Sequence, residues 1–201
     1  QEEKDVFKTF KEISQLENKD YLKEKLLLPK DKTIILGVGN FYYKKNWLSA
    51  IKSMINVEEA VLILIGSGEE KVDYLNFIKQ ESLENKVIIL DRKEKNELKE
   101  YFKTSDLFIL PSILETFGFV VVEALASGLP VLCSKYTGAS SLIINSYNGI
   151  IIDSKEDFSI DIKNAINNLE YMRPNAYKSI ENLTLENRAD EFYSIFKDVL
   201  I

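Results

Sequence analysis

The chain has 201 residues, of which 45% are hydrophobic and 11% aromatic, with only eight glycines and four prolines. This length and composition support a packed core and exclude the disordered and fibrous classes. The net charge of −6 argues against nucleic-acid binding, and the lack of histidine excludes Ser-His and Cys-His nucleophile pairs and the commonest zinc ligand.

Short apolar runs alternate with helical patterns along the whole chain. In the first half, strands are predicted at residues 33–38, 60–66 and 86–90, followed by helices at residues 47–54, 74–80 and 97–103. In the second half, strands at residues 106–111, 129–133 and 148–152 alternate with a helix at residues 119–128 and a short helical turn at residues 140–144. Two further helices are predicted at residues 157–169 and 185–200.

The predicted strands lack the alternation of a half-buried sheet, and each is followed by a helix-length segment. This pattern indicates parallel strands covered by helices on both faces. The sequence therefore predicts an α/β fold with a doubly wound, Rossmann-like parallel sheet of about six strands. Ligands of such sheets bind outside the carboxyl ends of the strands, so functional residues are expected in the loops that follow them.

Glycine-containing loops follow the first two predicted strands. The first, GVGNFYYKKN, contains Gly37 and Gly39 and places Lys44 and Lys45 just before a helix. Glycine lets a ligand approach the backbone, and a helix N-terminus favours anions. The second loop, IGSGEE, contains Gly66. Taken alone, either loop is more commonly an ordinary strand-to-helix turn, the first with two solvated lysines.

The most informative segment is PSILETFGFVVVEALASGLPV at residues 111–131. Glu123 lies in its apolar stretch with no polar neighbour within three residues on either side. A buried carboxylate costs several kcal/mol unless it is paired or hydrogen-bonded, so we expect a partner or a ligand to bond it. The alternative is that Glu123 lies on the single exposed stripe of its helix.

The spacing of Glu115 and Glu123 selects among ligand types. Glycosidases hold two carboxylates roughly 5 to 9.5 Å apart across one bond, whereas eight residues of helix span about 12 Å, and a loop separates the pair further. The two carboxylates could instead bind opposite ends of one elongated ligand. Between them, residues 116–120 would present backbone N–H groups at a helix N-terminus to a diphosphate. This arrangement of groups matches a ligand in which a sugar is linked through a diphosphate to a ribose.

The same segment resembles the Glu-x7-Glu signature of retaining GT-B glycosyltransferases, specifically the donor-binding C-terminal domain of glycosyltransferase family 4. The resemblance covers nearly the whole chain. It includes the lead-in LKEKLLLPKDKTIILGVGNF, the turn LILIGSGEE, the segment KVIILDRKEKNELKEYFKTSDLFILPS, the stretch SYNGIIID and a last helix.

The resemblance implies a role for each residue of the signature. Glu115 would hydrogen-bond hydroxyls of the donor sugar, and Glu123 would bind the ribose diol. Lys45 matches the family's phosphate-binding lysine, so Lys45 and Glu115 are the expected catalytic residues. The stretch expected to hold the diphosphate comprises Thr116, Phe117, Gly118, Phe119 and Val120.

The resemblance extends to the loops around the expected donor pocket. Gly39 matches a glycine that precedes a phosphate-binding arginine, but this chain has Asn40 at the arginine position. Either Lys44 substitutes for the arginine, or stabilisation of the leaving group is weaker. Gly66 would border the pocket, and Arg92 would lie near the base. No metal ion or other cofactor is expected, because the chain offers no histidine cluster and no DxD pair.

The implied reaction transfers a sugar, of hexosyl type, from a nucleotide diphosphate sugar to an acceptor hydroxyl with retention, in cell-surface polysaccharide or glycoconjugate synthesis. GT-B enzymes bind the acceptor on an N-terminal domain. Residues 1–201 are therefore expected to be the donor domain of a longer enzyme, and the start without methionine agrees. We expect the isolated domain to bind nucleotide without appreciable transfer, and to expose Phe41, Tyr42 and Tyr43 where the missing domain would cover them.

The expected partners are a nucleotide sugar and the missing N-terminal domain, without nucleic acid. The single cysteine, Cys133, lies in the apolar run LPVLC and is predicted to be reduced and buried, which is typical of the cytosol. Charges and prolines interrupt the longest apolar stretch, residues 107–133, so no membrane span is predicted. A cytoplasmic location follows, with peripheral contact at the inner face of the membrane left open for the full-length protein.

Three alternative functions share parts of this pattern. A nucleotide-sugar-binding module without catalysis, working with a separate partner chain, keeps the fold and is favoured slightly by Asn40. A nucleotide-sugar epimerase of GT-B fold needs acid and base groups that this histidine-free chain does not display. A flavodoxin-like signalling domain needs an acidic cluster after the first strand, where this chain has GVGNFYY.

Overall fold

The computed structural model describes Ile13, Leu16, residues 18–116 and residues 118–180. Within these residues the strands form one six-stranded parallel sheet, hydrogen-bonded in the order β3-β2-β1-β4-β5-β6. The strands are β1 (Thr33–Val38), β2 (Ala60–Ile65), β3 (Val87–Leu90), β4 (Leu107–Leu110), β5 (Val131–Ser134) and β6 (Gly149–Ile152). The predicted fold class and all six predicted strands are confirmed.

Helices connect the strands and close the described part of the chain. They are α1 (Lys19–Lys25), α2 (Trp47–Ser53), α3 (Lys71–Gln80), α4 (Lys95–Thr104), α5 (Phe119–Ala126), α6 (Ser159–Asn167) and α7 (Leu169–Lys178), with 3-10 turns at Tyr43–Lys45, Met54–Asn56 and Gly138–Leu142. None of the helices in the described part of the chain has the length and apolar character needed to cross a bilayer.

The helix predictions differ from the structure near the end of the chain. The helix predicted at residues 157–169 stops at Asn167, and α7 follows it directly. The sequence did not predict α7 because Pro174, which has no N–H to donate, lies inside it. The turn predicted at residues 140–144 is the 3-10 turn Gly138–Leu142. The helix predicted at residues 185–200 lies outside the described residues.

The centre of the sheet is buried on both faces. Every residue of β2, β4 and β5 is buried, which explains why these strands show no alternation of apolar and polar residues. Cys133 in β5 is completely buried, as predicted, and burial raises the pKa of its thiol to about 11. A thiol with this pKa stays protonated and unreactive at neutral pH.

The strand order reverses between β1 and β4. From β1 the chain proceeds outward through β2 and β3, and then it returns to the centre and proceeds through β4, β5 and β6 to the opposite edge. The loops after β1 and β4 therefore diverge from a common crevice at the carboxyl edge of the sheet. A doubly wound sheet binds its ligand at this point.

At the amino ends of the central strands, the carboxylate of Asp106, which precedes β4, links several elements of the fold. It accepts hydrogen bonds from Lys19 Nζ at 2.6 Å, from Arg173 Nη2 at 2.7 Å and from the backbone N–H of Ile34 at 2.9 Å. Burial alone would raise the pKa of Asp106, but the charge of Lys19, the bond from Ile34 and the charge of Arg173 bring it below its ordinary value of 3.8. Asp106 thus joins α1, β1 and α7 to β4.

Because the pKa of Asp106 is lower in the folded than in the unfolded state, its stabilisation is present at neutral pH and is lost as the pH falls through the folded-state pKa. We predict that Asp106→Asn lowers the free energy of unfolding at pH 7 by about 1 to 3 kcal/mol. The variant should also lose less stability than the wild type between pH 7 and pH 3. Urea unfolding across this pH range measures both effects.

The matched control is Asp91→Asn, which removes an exposed carboxylate paired with Lys71. This substitution should leave stability nearly unchanged, because exposed ion pairs contribute little. A parallel loss of stability with falling pH in the wild type and in Asp106→Asn would contradict the role assigned to Asp106.

Candidate functional site

The two loops at the strand-order reversal are bonded to each other. The backbone N–H of Ile113, after β4, donates to the carbonyl of Lys44, after β1, at 2.9 Å. The side-chain amide of Asn46 donates to the carbonyl of Pro111 at 3.3 Å. These bonds fix the loop that carries Lys45 relative to the loop that carries Glu115.

The loop after β1 also lies against the loop after β2. The N–H of Gly39 donates to the carbonyl of Ile65 at 3.0 Å. Gly66 is packed so closely against this loop that a Cβ atom there would lie 1.9 Å from the carbonyl oxygen of Gly39. Gly39 and Gly66, both predicted to border the donor pocket, therefore pack against each other, and Gly66 cannot be replaced without displacing the backbone of the first loop.

The prediction that Phe41 is exposed is wrong, whereas Tyr42 and Tyr43 are exposed as expected. Phe41 is completely buried, with its ring edge-on to Tyr74 at a centroid distance of 5.5 Å. Its backbone N–H also donates to the carbonyl of Ser67 at 2.8 Å. Phe41 thus holds the first two loops together, and only the two tyrosines remain for contact with another molecule.

Lys45 and Glu115 lie in contact. Lys45 Nζ donates to Glu115 Oε2, and the two side chains are only 13% and 21% exposed. The loop after β5 supports the backbone of Glu115, because the N–H of Gly138 donates to its carbonyl at 3.0 Å. Lys45 is thus not the solvated surface lysine of an ordinary turn, whereas Lys44 is exposed.

Helix α5 begins immediately after the Glu115 loop, as the sequence predicted. Its N-cap is Gly118, whose φ of 63° lies in the left-handed region and whose lack of a side chain leaves the helix without a side-chain cap. The first N–H groups of an α-helix have no acceptor within the helix, and a helix start is therefore suited to an anion. Thr116 and Phe119 are exposed, and Phe117 lies outside the described residues.

Glu123 is half-buried in α5, so it does not lie on a fully exposed stripe. Burial raises the pKa of its carboxyl group above the ordinary value of 4.5, and the charge of Lys95 at the start of α4 opposes this only in part. Lys95 is a residue that the sequence analysis missed. Its signal was a lysine shortly before the start of a predicted helix, where the helix dipole disfavours positive charge.

Arg92 and Asn40 are both exposed. Arg92 lies on the loop after the edge strand β3. The backbone carbonyl of Asn40 accepts a hydrogen bond from Trp47 Nε1 at 3.1 Å. Asn40 therefore anchors its loop through the backbone and not through its side chain.

Sequence analysis also missed Asn46. Its φ of 58° is left-handed, and besides Pro111 its side-chain amide donates to the carbonyl of Lys155 at 3.0 Å. The loops after β1, β4 and β6 are thereby joined at one residue. Asparagine directly before a predicted helix was a signal, because this residue type tolerates the left-handed region.

The loop after β4 contains a buried hydroxyl group. Ser112, two residues beyond β4, is completely buried, and its hydroxyl has no hydrogen-bond partner in the described part of the chain.

Next to the crevice, an open depression of about 500 Å³ is lined by Phe41, Tyr42, Tyr43, Lys44, Gly68 and Glu69. Within the described residues, no three acidic, cysteine or histidine side chains are grouped so that they could hold a metal ion.

We predict that Asn46→Gly lowers the free energy of unfolding by about 1 to 2 kcal/mol, because it keeps the left-handed backbone but removes two hydrogen bonds. The control is Ser82→Gly at a second left-handed position, with φ of 55° and no role in joining these loops. That variant should be neutral or more stable by up to about 1 kcal/mol. Denaturant unfolding compares the two, and equal effects would show that the Asn46 amide contributes nothing.

Comparison with known proteins identifies relatives of this chain. It is 32% identical over 177 residues to an uncharacterised glycosyltransferase of Methanocaldococcus jannaschii, covering 83% of this chain and 45% of that protein. It is 28% identical over 190 residues to the UDP-Gal:alpha-D-GlcNAc-diphosphoundecaprenol alpha-1,3-galactosyltransferase of Escherichia coli, covering 90% and 47%. The chain therefore spans about half the length of these relatives.

The fold is also found among solved structures. HepE of Anabaena, solved in complex with UDP and glucose, superposes with a TM-score of 0.75 at 20% identity, covering 89% of this chain and 51% of HepE. At this identity the likeness establishes the fold, which is that of GT-B glycosyltransferases. The model of the family "Glycosyl transferases group 1" matches residues 18–181. The chain belongs to this glycosyltransferase family.

Proposed function

We propose that this chain is the donor-binding C-terminal domain of a retaining glycosyltransferase of family 4. In this proposal it presents a nucleotide diphosphate sugar, of hexosyl type, to an acceptor hydroxyl. The observation that carries the proposal is the contact between Lys45 and Glu115 beside the uncapped start of α5. A cation, a carboxylate and the N-terminus of a helix are thereby gathered at the point of the sheet where ligands bind.

The donor extends from Glu115 to Glu123 in the proposed complex. Glu115 accepts hydrogen bonds from the sugar hydroxyls, and Lys45 and the first N–H groups of α5 bind the diphosphate. Glu123 accepts hydrogen bonds from the ribose diol, and Arg92 lies on the side of the base. The UDP-Gal specificity in the name of the E. coli relative, and the UDP and glucose bound to HepE, support a nucleotide sugar as the ligand.

In the proposed reaction, the bond between the anomeric carbon and the diphosphate oxygen breaks. A new bond forms from the same carbon to the acceptor oxygen on the same face of the sugar, and the proton of the acceptor hydroxyl passes to the departing diphosphate oxygen. Negative charge grows on the departing diphosphate, where Lys45 and the helix N-terminus stabilise it. The helix contributes about 0.3 to 1 kcal/mol, and up to about 2 kcal/mol when the site is partly buried. No metal ion takes part in this scheme.

The acceptor site lies outside this chain in the proposal. In this proposal the acceptor is bound by an N-terminal domain across a cleft, and the coverage of only about half of the relatives' length supports it. The exposed rings of Tyr42 and Tyr43, beside the open depression, are the surface that such a domain would cover. The proposed pathway is cell-surface polysaccharide or glycoconjugate synthesis on the cytoplasmic side, with peripheral membrane contact through the missing domain.

A second candidate function is a nucleotide-sugar-binding module without catalysis. The observation that favours it is Asn40, which leaves the crevice without the planar, bidentate phosphate donor of the family. Both candidates bind the same ligand. They differ in whether the chain, once joined to its acceptor domain, transfers sugar.

We predict that Glu123→Gln weakens nucleotide binding by about 1 to 3 kcal/mol, because an amide accepts weaker hydrogen bonds from the ribose diol than a carboxylate. Titration calorimetry with UDP, GDP and ADP identifies the base preference first and then measures this loss. The control is Glu84→Gln, an exposed carboxylate after α3. Equal affinities of Glu123→Gln and the control would remove Glu123 from the site.

We further predict that the 201-residue chain binds a nucleoside diphosphate but transfers little or no sugar, because the acceptor is bound elsewhere. A radiolabelled transfer assay compares the chain with the full-length protein containing it. Efficient transfer by the chain alone would contradict the division into donor and acceptor domains. Binding without transfer by the full-length protein would favour the non-catalytic module.

A further inference from the structure

Lys45 and Glu115 form an ion pair in the crevice. Each of the two side chains is more than three-quarters shielded from solvent, and in the described part of the chain each is the other's ion-pair partner. The cation proposed for the diphosphate is therefore in contact with the carboxylate proposed for the sugar. A diphosphate that draws Lys45 towards itself weakens the contact of Lys45 with Glu115.

The backbone on both sides of the pair is anchored independently of it. Ile113 and Lys44 are joined by a backbone hydrogen bond, Asn46 joins Pro111, and the carbonyl of Glu115 accepts from Gly138. Separating the two charged groups therefore requires side-chain movement while the loops keep their positions. The exchange of Glu115 for a diphosphate as the partner of Lys45 therefore involves only these side chains. Its effect is measurable as a change in the affinity for the nucleotide ligand.

We propose that Glu115 acts as an internal competitor that distinguishes the sugar-bearing donor from the free nucleoside diphosphate. This inference rests on the proposed function. Both ligands take Lys45 from Glu115 through their diphosphate. Only the donor carries sugar hydroxyls that can donate hydrogen bonds to the released carboxylate.

The physical cost differs between the two ligands. With a bare nucleoside diphosphate, the shielded Glu115 carboxylate loses its cation and is left beside a second group of negative charges. Uncompensated charges in partly buried positions are strongly unfavourable. With the sugar-bearing donor, hydroxyl groups replace the lost cation as hydrogen-bond donors, so this cost is largely offset. The pair thereby weakens binding of the product relative to the substrate.

The same exchange favours product release. Once the sugar has left with the acceptor, Glu115 loses its hydroxyl partners while the nucleoside diphosphate still holds Lys45. Re-formation of the Lys45–Glu115 pair then displaces the diphosphate from its principal cation. The carboxylate thus serves the reaction twice, first as an acceptor for sugar hydroxyls and then as a competitor of the product.

The test is the affinity of Glu115→Gln for UDP, GDP and ADP, measured by titration calorimetry beside the corresponding UDP-, GDP- and ADP-glucose. Glutamine keeps the size of the side chain and removes its charge. We expect the variant to bind the preferred nucleoside diphosphate about two- to tenfold more tightly than the wild type. The ratio of donor affinity to nucleoside diphosphate affinity should fall by at least the same factor.

The matched control is Glu69→Gln, which removes an exposed carboxylate from the adjacent loop after β2. It measures the general effect of reducing negative charge near the crevice. Glu69→Gln should bind the nucleoside diphosphate as the wild type does. An equal gain in affinity in both variants would overturn the proposal, because the gain would then come from net charge and not from release of Lys45.

The outcomes separate this proposal from the function on which it rests. If the wild type binds none of the three nucleoside diphosphates, the proposed function fails and the competition fails with it. If the wild type binds and Glu115→Gln binds with the same or lower affinity, the competition is wrong while the nucleotide site stands. Glu115→Ala should show the same gain in affinity for the nucleoside diphosphate. Thermal unfolding checks that both variants are folded, and Glu115→Ala replaces Glu115→Gln if the latter does not fold.

Discussion

The reversal of strand order between β1 and β4 is the constraint on which the site depends. Because the chain leaves these neighbouring strands in opposite directions, their following loops border one crevice. The hydrogen bond from Ile113 to Lys44 then joins the loops directly. Together with the bond from Asn46 to Pro111, it fixes the relative positions of a lysine and a glutamate seventy residues apart.

The amino ends and the carboxyl ends of the strands are stabilised by different interactions. At the amino edge of β4, a single carboxylate binds two cations and a backbone N–H group from three other elements, and every charge has a partner. At the carboxyl edge, the start of α5 has no side-chain cap, and a half-buried glutamate has a raised pKa. A carboxylate with a perturbed pKa beside a helix start without a side-chain cap is typical of a binding site.

The resemblance and the geometry contribute different parts of the functional argument. Membership of the glycosyltransferase family follows from the match over residues 18–181. The roles of the individual residues are a proposal supported by the placement of Lys45 and Glu115 beside the start of α5. Asn40, at the position where the resemblance implies arginine, has an exposed side chain that carries no charge.

Sequence alone determined the elements of the fold whose signal is local. Continuous apolar runs such as AVLILI predict buried parallel strands because both faces are covered, and all six strands were found this way. Short-range patterns failed where a long-range contact decides the outcome. Helix α7 forms despite Pro174, and Phe41 is buried because Tyr74 from another helix packs against it.

The motif spacing likewise indicated Glu115 and Glu123 as candidate residues, and the family resemblance added Lys45, but neither carried information on their partners. Only the tertiary structure decided that Lys45 binds Glu115, that Lys95 acts on Glu123 and that Asn46 joins three loops. The physical reason is that residue type and local pattern set which chemistry a side chain offers. The pairing of charges depends on which loops the sheet order brings together, and that order is a property of the whole folded chain.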